Sequence, residues 1–414
     1  MGAARVLLTV AGIYTTQSAI GGMSFQALPA VLRSHGAGLE LVGLVSLFML
    51  PWALKFLWAP AVERFRQRPG GVRRSRPIIL AGQGVAFGLL VLLAALSPRE
   101  APLALFLLLA AVAVVVATVD IACDGFTVER LAPATRGWGG AVQVGGGYAG
   151  MMLGGGLFLV LVDRAGWTLA VCAMVGLLVL LTLPVLLTPE PPLASLGEDR
   201  SENRHRPSLA AAFARPDVRW GLVVVLVFQP GLRIVQGLMA PFLIDRGFDL
   251  ALLGMLHGVA GTAASLLGAL LAGLAARRWG ADALLGPAVL AEAAVFLALL
   301  AAALVPGLPV AALVGLLLAL AAVTGAAFVV LYTAMMGWAS LRQAGVDFTL
   351  FQCADAMVAA LAGYGGALLA GTLGYKAGFG LAAGAALAAA ALLPALRARI
   401  GTVQPDAAPP GVAV

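Results

Sequence analysis

Long apolar runs separated by brief polar connectors recur from one end of the chain to the other. An α-helix rises about 1.5 Å per residue, so about 20 apolar residues cross the hydrocarbon core of a bilayer. On that measure the pattern predicts twelve spanning helices, over 6–32, 39–62, 77–97, 101–128, 138–163, 166–188, 217–244, 250–276, 281–304, 308–339, 346–373 and 376–396. The connectors are short except for 189–216, which is rich in proline, charge and small residues and parts six helices from six. The organisation expected is a six-helix bundle over 1–188, a linker over 189–216, a second six-helix bundle over 217–400 and a disordered tail over 401–414. The first run starts after Arg5 and continues to about Leu32. That is longer than the roughly 7–15-residue apolar core of a signal peptide, so it is read as a retained helix.

Composition agrees with this pattern. The 414 residues are 61% hydrophobic and 11% charged, whereas soluble domains carry about 25% charged residues. An all-α polytopic membrane protein is therefore expected, and a soluble class is excluded. The 52 glycines suit close helix packing in lipid. Cys123, Cys172 and Cys353 all lie inside apolar runs. They read as small buried residues, with no disulfide, metal site or cofactor implied.

Net charge is +7, and its distribution says more than its total. With the N-terminus, the even-to-odd connectors and the C-terminus on one side, that side holds nineteen basic residues and the other five. Only Lys55 and Arg233 remain, both inside helices. Positive charge gathers on the cytoplasmic face, so both termini are expected in the cytoplasm. Arginine outnumbers lysine 24 to 2, which fits a GC-rich bacterial genome and hence a bacterial inner (cytoplasmic) membrane. No nucleic-acid partner is expected, the surrounding lipid is, and a monomer is the expected form.

Ionisable side chains in hydrocarbon cost at least ~2.5–3.5 kcal/mol each and persist where they face a cavity or a partner. Asp120 and Asp124 stand at i, i+4 on the fourth predicted helix, with Thr127 on the same face. Gln229, Arg233 and Gln236 make a similar stripe on the seventh, and Tyr14, Gln17, Ser18 and Gly21 a polar face on the first. Lys55 lies on the second helix and Gln352 and Asp355 on the eleventh. Helical rise sets Asp120 roughly 15 Å above Arg130 and Lys55 roughly 13 Å above Arg64, at similar levels. Lys55 can therefore pair with either aspartate. Two readings stay open for these three residues, a proton-coupling site at Asp120 and Asp124, or a charge cluster that only holds two helices together. Arg233 is expected deeper, as a fixed cation above the acids, binding substrate with Gln229, Gln236, Tyr14, Gln17, Trp52, Gln352 and Asp355. Glu292 and His257 receive no role.

Several motifs carry a resemblance. Gly36-x2-Leu39-x3-Gly43 repeats as Gly247-x2-Leu250-x3-Gly254 at an offset of 211, and Gln143 with Tyr148 loosely parallels Gln352 with Tyr364. Two parallel six-helix repeats resemble the layout of major facilitator transporters. That fold implies a cavity lined by helices 1, 4, 7 and 10. Glu63-Arg64, with the arginines up to Arg76, resembles a degraded form of the loop signature between helices 2 and 3 of that superfamily. Glu129 and Arg136, six residues between them, resemble its helix-end salt-bridge element. Lys55, Glu63, Arg64, Glu129 and Arg136 are thus read as structural or gating charges, with plain topology charge as the alternative for the loop residues.

The run Trp52-Ala53-Leu54-Lys55-Phe56-Leu57-Trp58-Ala59-Pro60 and the segment Asp120-Ile121-Ala122-Cys123-Asp124-Gly125 with Glu129 resemble the helix 2 and helix 4 signatures of the peptide/acetyl-CoA transporter group, which includes muropeptide permeases. Gln17 to Pro29, Gln229-Pro230-Gly231-Leu232-Arg233 and Pro241-Phe242-Leu243 look closer to the compact branch that takes up ferric siderophores of the pyochelin and rhizobactin type. The resemblance implies proton-coupled symport of a ferric siderophore by alternating access, with protons and the iron complex as partners. A muropeptide or other small-metabolite permease of the same group is the alternative. A membrane prenyltransferase built on Asp120-x3-Asp124 is a third reading. Such a site needs a second acidic cluster to hold Mg²⁺, and Val329 to Ser340 contains no acid. The chain is therefore not expected to be an enzyme.

Overall fold

The computed structural model describes residues 3–28, 31–32, 48–68, 72–97, 100–132, 135–190, 206–248, 252 and 255–400. The repeated glycine motifs at Gly36 and Gly254, the first half of the second predicted helix, most of the linker and the tail lie outside the described residues, as does the His257 side chain.

The described chain is helical throughout, with one isolated bridge between Gln67 and Arg73. Helix α1 runs Ala3–Gly22 and continues through a π-turn, Met23–Ala27. Helix α2 is broken into Leu50–Leu54, a 3₁₀ turn at Lys55–Leu57 and Ala59–Arg66. Then come α3 (Ser75–Ala94), α4 (Pro102–Arg130), α5 (Arg136–Ala165, with a π-turn at Met152–Leu157) and α6 (Trp167–Leu187). A short linker helix, Leu209–Ala214, precedes α7, which is split at Gln229 into Pro216–Phe228 and Pro230–Asp245. The second bundle ends with α8 (Leu256–Trp279), α9 (Ala281–Leu304), α10 (Val310–Trp338), α11 (Ala344–Leu373) and α12 (Tyr375–Arg397). Eleven of these are long and apolar enough to cross a membrane, and the broken α2 takes the place of the remaining predicted span. The expectation of a continuous helix over 39–62 is corrected. Pro60 has no N–H to give and its ring crowds the preceding turn, so the described part of α2 breaks at Lys55–Trp58 and then runs on to Arg66.

The packing repeats between the halves. In the first, α1 packs on α5 and α6, and α3 packs on α4 and α6. In the second, α7 packs on α11 and α12, and α9 packs on α10 and α12. Towards one face the bundles keep separate apolar cores, one around Ile20, Leu105 and Phe158 and another around Leu238, Phe296 and Phe379. Towards the face that carries the arginine-rich connectors they share a single core. It runs from Val10 and Phe126 to Phe228, Trp338 and Phe348.

Small residues make the shared seam possible. A Cβ on Gly137 of α5 would stand 2.8 Å from the Gly273 carbonyl oxygen of α8, and one on Gly345 of α11 would stand 2.8 Å from the Ile121 carbonyl oxygen of α4. Backbone therefore touches backbone where the bundles meet. Within the first bundle, a Cβ on Gly154 of α5 would fall 1.8 Å from the carbonyl oxygen of Ala19 in α1, whereas one on Gly156 meets nothing within 4 Å. Gly154→Ala is expected to force α1 and α5 apart at a cost of ~1–3 kcal/mol and to lower the melting temperature in detergent. Gly156→Ala is expected to melt at or above the wild-type temperature, because alanine is the better helix former.

Candidate functional site

The break in α2 sets up the central cluster. Trp58 N–H donates to the Lys55 carbonyl at 3.2 Å, closing the 3₁₀ turn. This turn buries the Lys55 side chain to 1% exposure against α4. Its ammonium donates to the Asp120 carboxylate, to Asp124 Oδ2 at 3.3 Å and to Gln352 Oε1. Asp120 and Asp124 reach the same nitrogen because i, i+4 residues share a helix face. Tyr14 of α1 donates its hydroxyl hydrogen to Asp124 Oδ1 at 2.7 Å, and Gln352 Nε2 of α11 donates to the same oxygen at 3.2 Å. One ammonium thus faces two carboxylates, and one added proton makes the cluster neutral. Four helices meet here, and α11 belongs to the other bundle.

Other expected site residues border this cluster. Gln17 Nε2 lies 3.4 Å from Cys123 Sγ. The Trp52 ring packs edge-on to Phe25 at 5.8 Å, and its carbonyl accepts from Cys353 Sγ at 3.4 Å. Thr127 stands 3.5 Å from the Tyr14 hydroxyl.

Arg233 forms a separate centre. Its Nη2 donates to both Asp355 oxygens at 2.6 and 2.7 Å, its Nη1 donates to Gln236 Oε1 at 3.1 Å, and the guanidinium lies 4.9 Å from the Phe328 ring centroid. Asp355, expected in the same binding set, balances the charge of Arg233 across the α7–α11 contact. Gln229 does not join this network. It sits at the break in α7, buried, with neither amide atom hydrogen-bonded.

The arginine-rich face is closed by charge. Arg66 is fully buried and grips two carboxylates in fork geometry, Glu63 at 2.7 and 2.9 Å and Glu129 at 2.6 and 2.7 Å. Arg73 adds a 2.9 Å bond to Glu129, and Ser75 accepts from Arg66. Burial alone would depress the Arg66 guanidinium, but Glu129 and Glu63 outweigh it and raise it well above its usual range. Two sequence expectations change. Arg64 lies outside this cage and donates to the Pro207 carbonyl of the linker at 2.8 Å. Glu129 is bound by Arg66 and Arg73, while Arg136 abuts Gly337 of α10. The spacing of Glu129 and Arg136 therefore does not make a salt bridge.

Sequence reasoning missed a matching cage in the second bundle. Asp347, in the first turn of α11, accepts from Arg215, from Ser340 N–H at 2.9 Å and from Gln343 Nε2 at 2.8 Å. The sequence signal was an acid just inside an apolar run, opposite an arginine at the start of α7. The two cages touch, since Arg73 donates to the Leu341 carbonyl at 3.3 Å and Gln67 to that of Arg342. No group of three or more His, Cys, Asp or Glu suited to a metal occurs among the described residues.

Residues 10–313 match the model of the Major Facilitator Superfamily. The anhydromuropeptide permease of Escherichia coli K12 is 31% identical over 257 residues, covering 61% of this chain and 51% of that protein. The chain thus spans about half the length of this curated relative. Among solved structures, the human organic anion transporter MFSD10 (TETRAN) superposes with a TM-score of 0.70 at 18% identity, over 95% of this chain and 100% of that one. A bacterial homologue of the iron transporter ferroportin, outward-facing with soaked iron, gives 0.69 at 14% identity, over 96% and 100%. At these identities the structures share the fold and nothing finer is carried over.

The cluster geometry makes Lys55 testable by stability. Lys55→Ala leaves two buried carboxylates facing each other and is expected to cost ~3–5 kcal/mol, read as a lower melting temperature and yield. Adding Asp124→Asn is expected to recover part of that loss. Strictly additive losses would show that the ammonium and Asp124 are not coupled.

Proposed function

The chain belongs to the Major Facilitator Superfamily, and on that premise we propose that it is a proton-driven permease importing a muropeptide, or a similar anionic small molecule, across the bacterial inner membrane by alternating access. The observation that carries this reading is the buried Lys55–Asp120–Asp124 cluster tied across the bundles by Gln352. Two carboxylates and one ammonium accept a proton without leaving an unbalanced charge. Protonation of Asp124 weakens its hold on Gln352 and thereby the contact between the bundles. On this reading the arginine-rich face, cytoplasmic by the charge bias, is the side held shut by the Arg66 and Asp347 cages. The substrate enters from the opposite side and meets Arg233.

For the substrate, the 31% identical relative is named an anhydromuropeptide permease, and the Trp52–Pro60 and Asp120–Gly125 segments resemble that group. The ferric-siderophore reading finds no support among the relatives, and Gln229, on which it partly rested, lies outside the Arg233 network. The chain is not proposed to be an enzyme.

Sealed vesicles loaded with the protein provide the test. A labelled anhydromuropeptide should accumulate against its gradient when an inward proton gradient is imposed, and a ferric pyochelin complex should not. Asp120→Asn and Asp124→Asn are each expected to abolish this uphill uptake while substrate exchange without a gradient persists. Full concentrative uptake by both variants would remove the cluster from coupling.

Arg233 offers a second measurement, of substrate charge. Its guanidinium presents donors in a planar fork. A hydrogen bond to a charged group contributes about 1.5–3 kcal/mol, roughly a tenfold to hundredfold change in affinity. Arg233→Gln is expected to weaken an anionic ligand by that factor and an uncharged analogue little, with Arg233→Lys in between. Equal losses for both ligands would make Arg233 a support for α7 and not a reader of charge.

A further inference from the structure

The long connector between the bundles ends in an arm, residues 206–215, that includes the linker helix Leu209–Ala214. Ser208 caps that helix, its Oγ accepting from Ala211 N–H at 3.1 Å. The arm is bound to the second bundle at both ends. Ser208 N–H donates to Gln343 Oε1 at 3.2 Å, and Arg215 donates to Asp347 and, at 3.1 Å, to the Trp338 carbonyl. Between these points Ala212 is buried in the shared core and Leu209 packs against it. Gln343 and Asp347 stand at the start of α11, and Arg215 leads directly into α7. The arm therefore moves with the second bundle.

Its tie to the first bundle is of another kind. Arg64, near the end of α2, donates from Nε to the Pro207 carbonyl at 2.8 Å. The same choice of acceptor recurs along the joint, where Gln67 donates to the Arg342 carbonyl and Arg73 to the Leu341 carbonyl. The ion pairs of the two cages, by contrast, stay within one bundle each. Arg66 holds Glu63 and Glu129, Arg73 holds Glu129, and Arg215 holds Asp347. Parting the bundles at this face then strands no buried charge without its counter-ion, the change that destabilises most. It breaks bonds to neutral carbonyls, and water can take the place of each partner.

We propose that residues 206–215 are a latch arm of the second bundle, and that the bond from Arg64 to the Pro207 carbonyl fastens it to the first bundle while the arginine-rich face is shut. The proposal rests on the reading that this face opens during transport. The linker is then more than a tether between two bundles, because it carries the catch. Docking of Ser208 and Arg215 on α11 and α10 holds the Pro207 carbonyl where Arg64 can reach it. The catch uses main chain alone, so the Pro207 side chain has no part in it. Loss of one such hydrogen bond shifts the ratio of open to closed molecules by roughly two- to tenfold.

Hydrogen–deuterium exchange of the purified full-length protein, read peptide by peptide, tests this without substrate or gradient. Its failure leaves the permease reading standing, and a failure of uptake leaves the latch. The reporting segments are 136–143 at the start of α5 and 329–338 at the end of α10. They meet across the joint, since a Cβ on Gly140 would stand 2.2 Å from Thr333 Oγ1, and neither belongs to the arm. Arg64→Ala is expected to keep the wild-type melting temperature and to exchange roughly two- to tenfold faster in both segments. Arg68→Ala removes an exposed charge a turn further along and should exchange as the wild type does. Pro207→Ala keeps the carbonyl and should do the same. If Arg64→Ala does not fold, Gln343→Met removes the acceptor of Ser208 N–H, releases the arm from its other side and should give the same acceleration. Wild-type exchange in both segments of the variant that folds, or acceleration confined to 206–215, overturns the latch. Equal acceleration in Arg68→Ala overturns it in favour of loop charge alone.

Discussion

An ammonium group buried in the middle of a membrane protein constrains everything around it. Lys55 has almost no contact with solvent, so its charge must be met by protein, and Asp120 and Asp124 meet it from one face of α4. Two acids for one base leave an excess negative charge, and Tyr14 and Gln352 supply the hydrogen bonds that it requires. The position of α11 follows, since Gln352 must reach across from the other bundle. So does the break in α2, since the 3₁₀ turn ahead of Pro60 aims Lys55 at α4. A charge cluster of this kind is poor at stabilising a fold, because desolvation offsets much of the attraction. It is well suited to sensing a proton, because one added charge changes every partner together.

The apolar cores set this cluster at the joint between the bundles. The bundles share one continuous core towards the arginine-rich face and keep separate cores towards the other. The joint between them is thus concentrated at one end, together with the Arg66 and Asp347 cages. The Lys55 cluster sits on the same joint through Gln352. Packed interfaces of this type have discrete arrangements and do not deform continuously, which is how a shift of a few ångströms at one carboxylate can be felt by a whole bundle.

Helix positions were legible in the sequence because lipid enforces them. A span must be apolar, about 20 residues long and internally hydrogen-bonded, so α3, α9 and α12 begin and end within a few residues of their predicted bounds. The grouping of Lys55 with Asp120 was also readable, because helical rise gives depth directly. Partner choice was not. Arg64 and Arg66 are equivalent as topology charges, and only the rotation of α2 about its axis turns Arg66 inward and Arg64 towards the linker. The spacing of Glu129 and Arg136 suggested a pair, but it carried no information that Arg73 would arrive from another loop. Asp355 stood in the sequence as a cavity residue, and nothing there marked it as the counter-ion of Arg233. Glu292 stood out as an acid in hydrocarbon, yet its lack of a partner is a property of three-dimensional packing.

The glycines at the seam have an effect on permeability. Where Gly137 meets Gly273, main chain lies against main chain, and at Gly345 the Ile121 carbonyl of α4 and the Glu63 carboxylate close on the backbone together. Side chains at such a joint would flicker between rotamers and open transient gaps wide enough for a file of water. Protons hop along water files far faster than any carrier cycles, so a joint of that kind would short-circuit the gradient. Bare backbone has no rotamers to change. A methyl group added at Gly137 would part the two main chains and leave room for water at the joint.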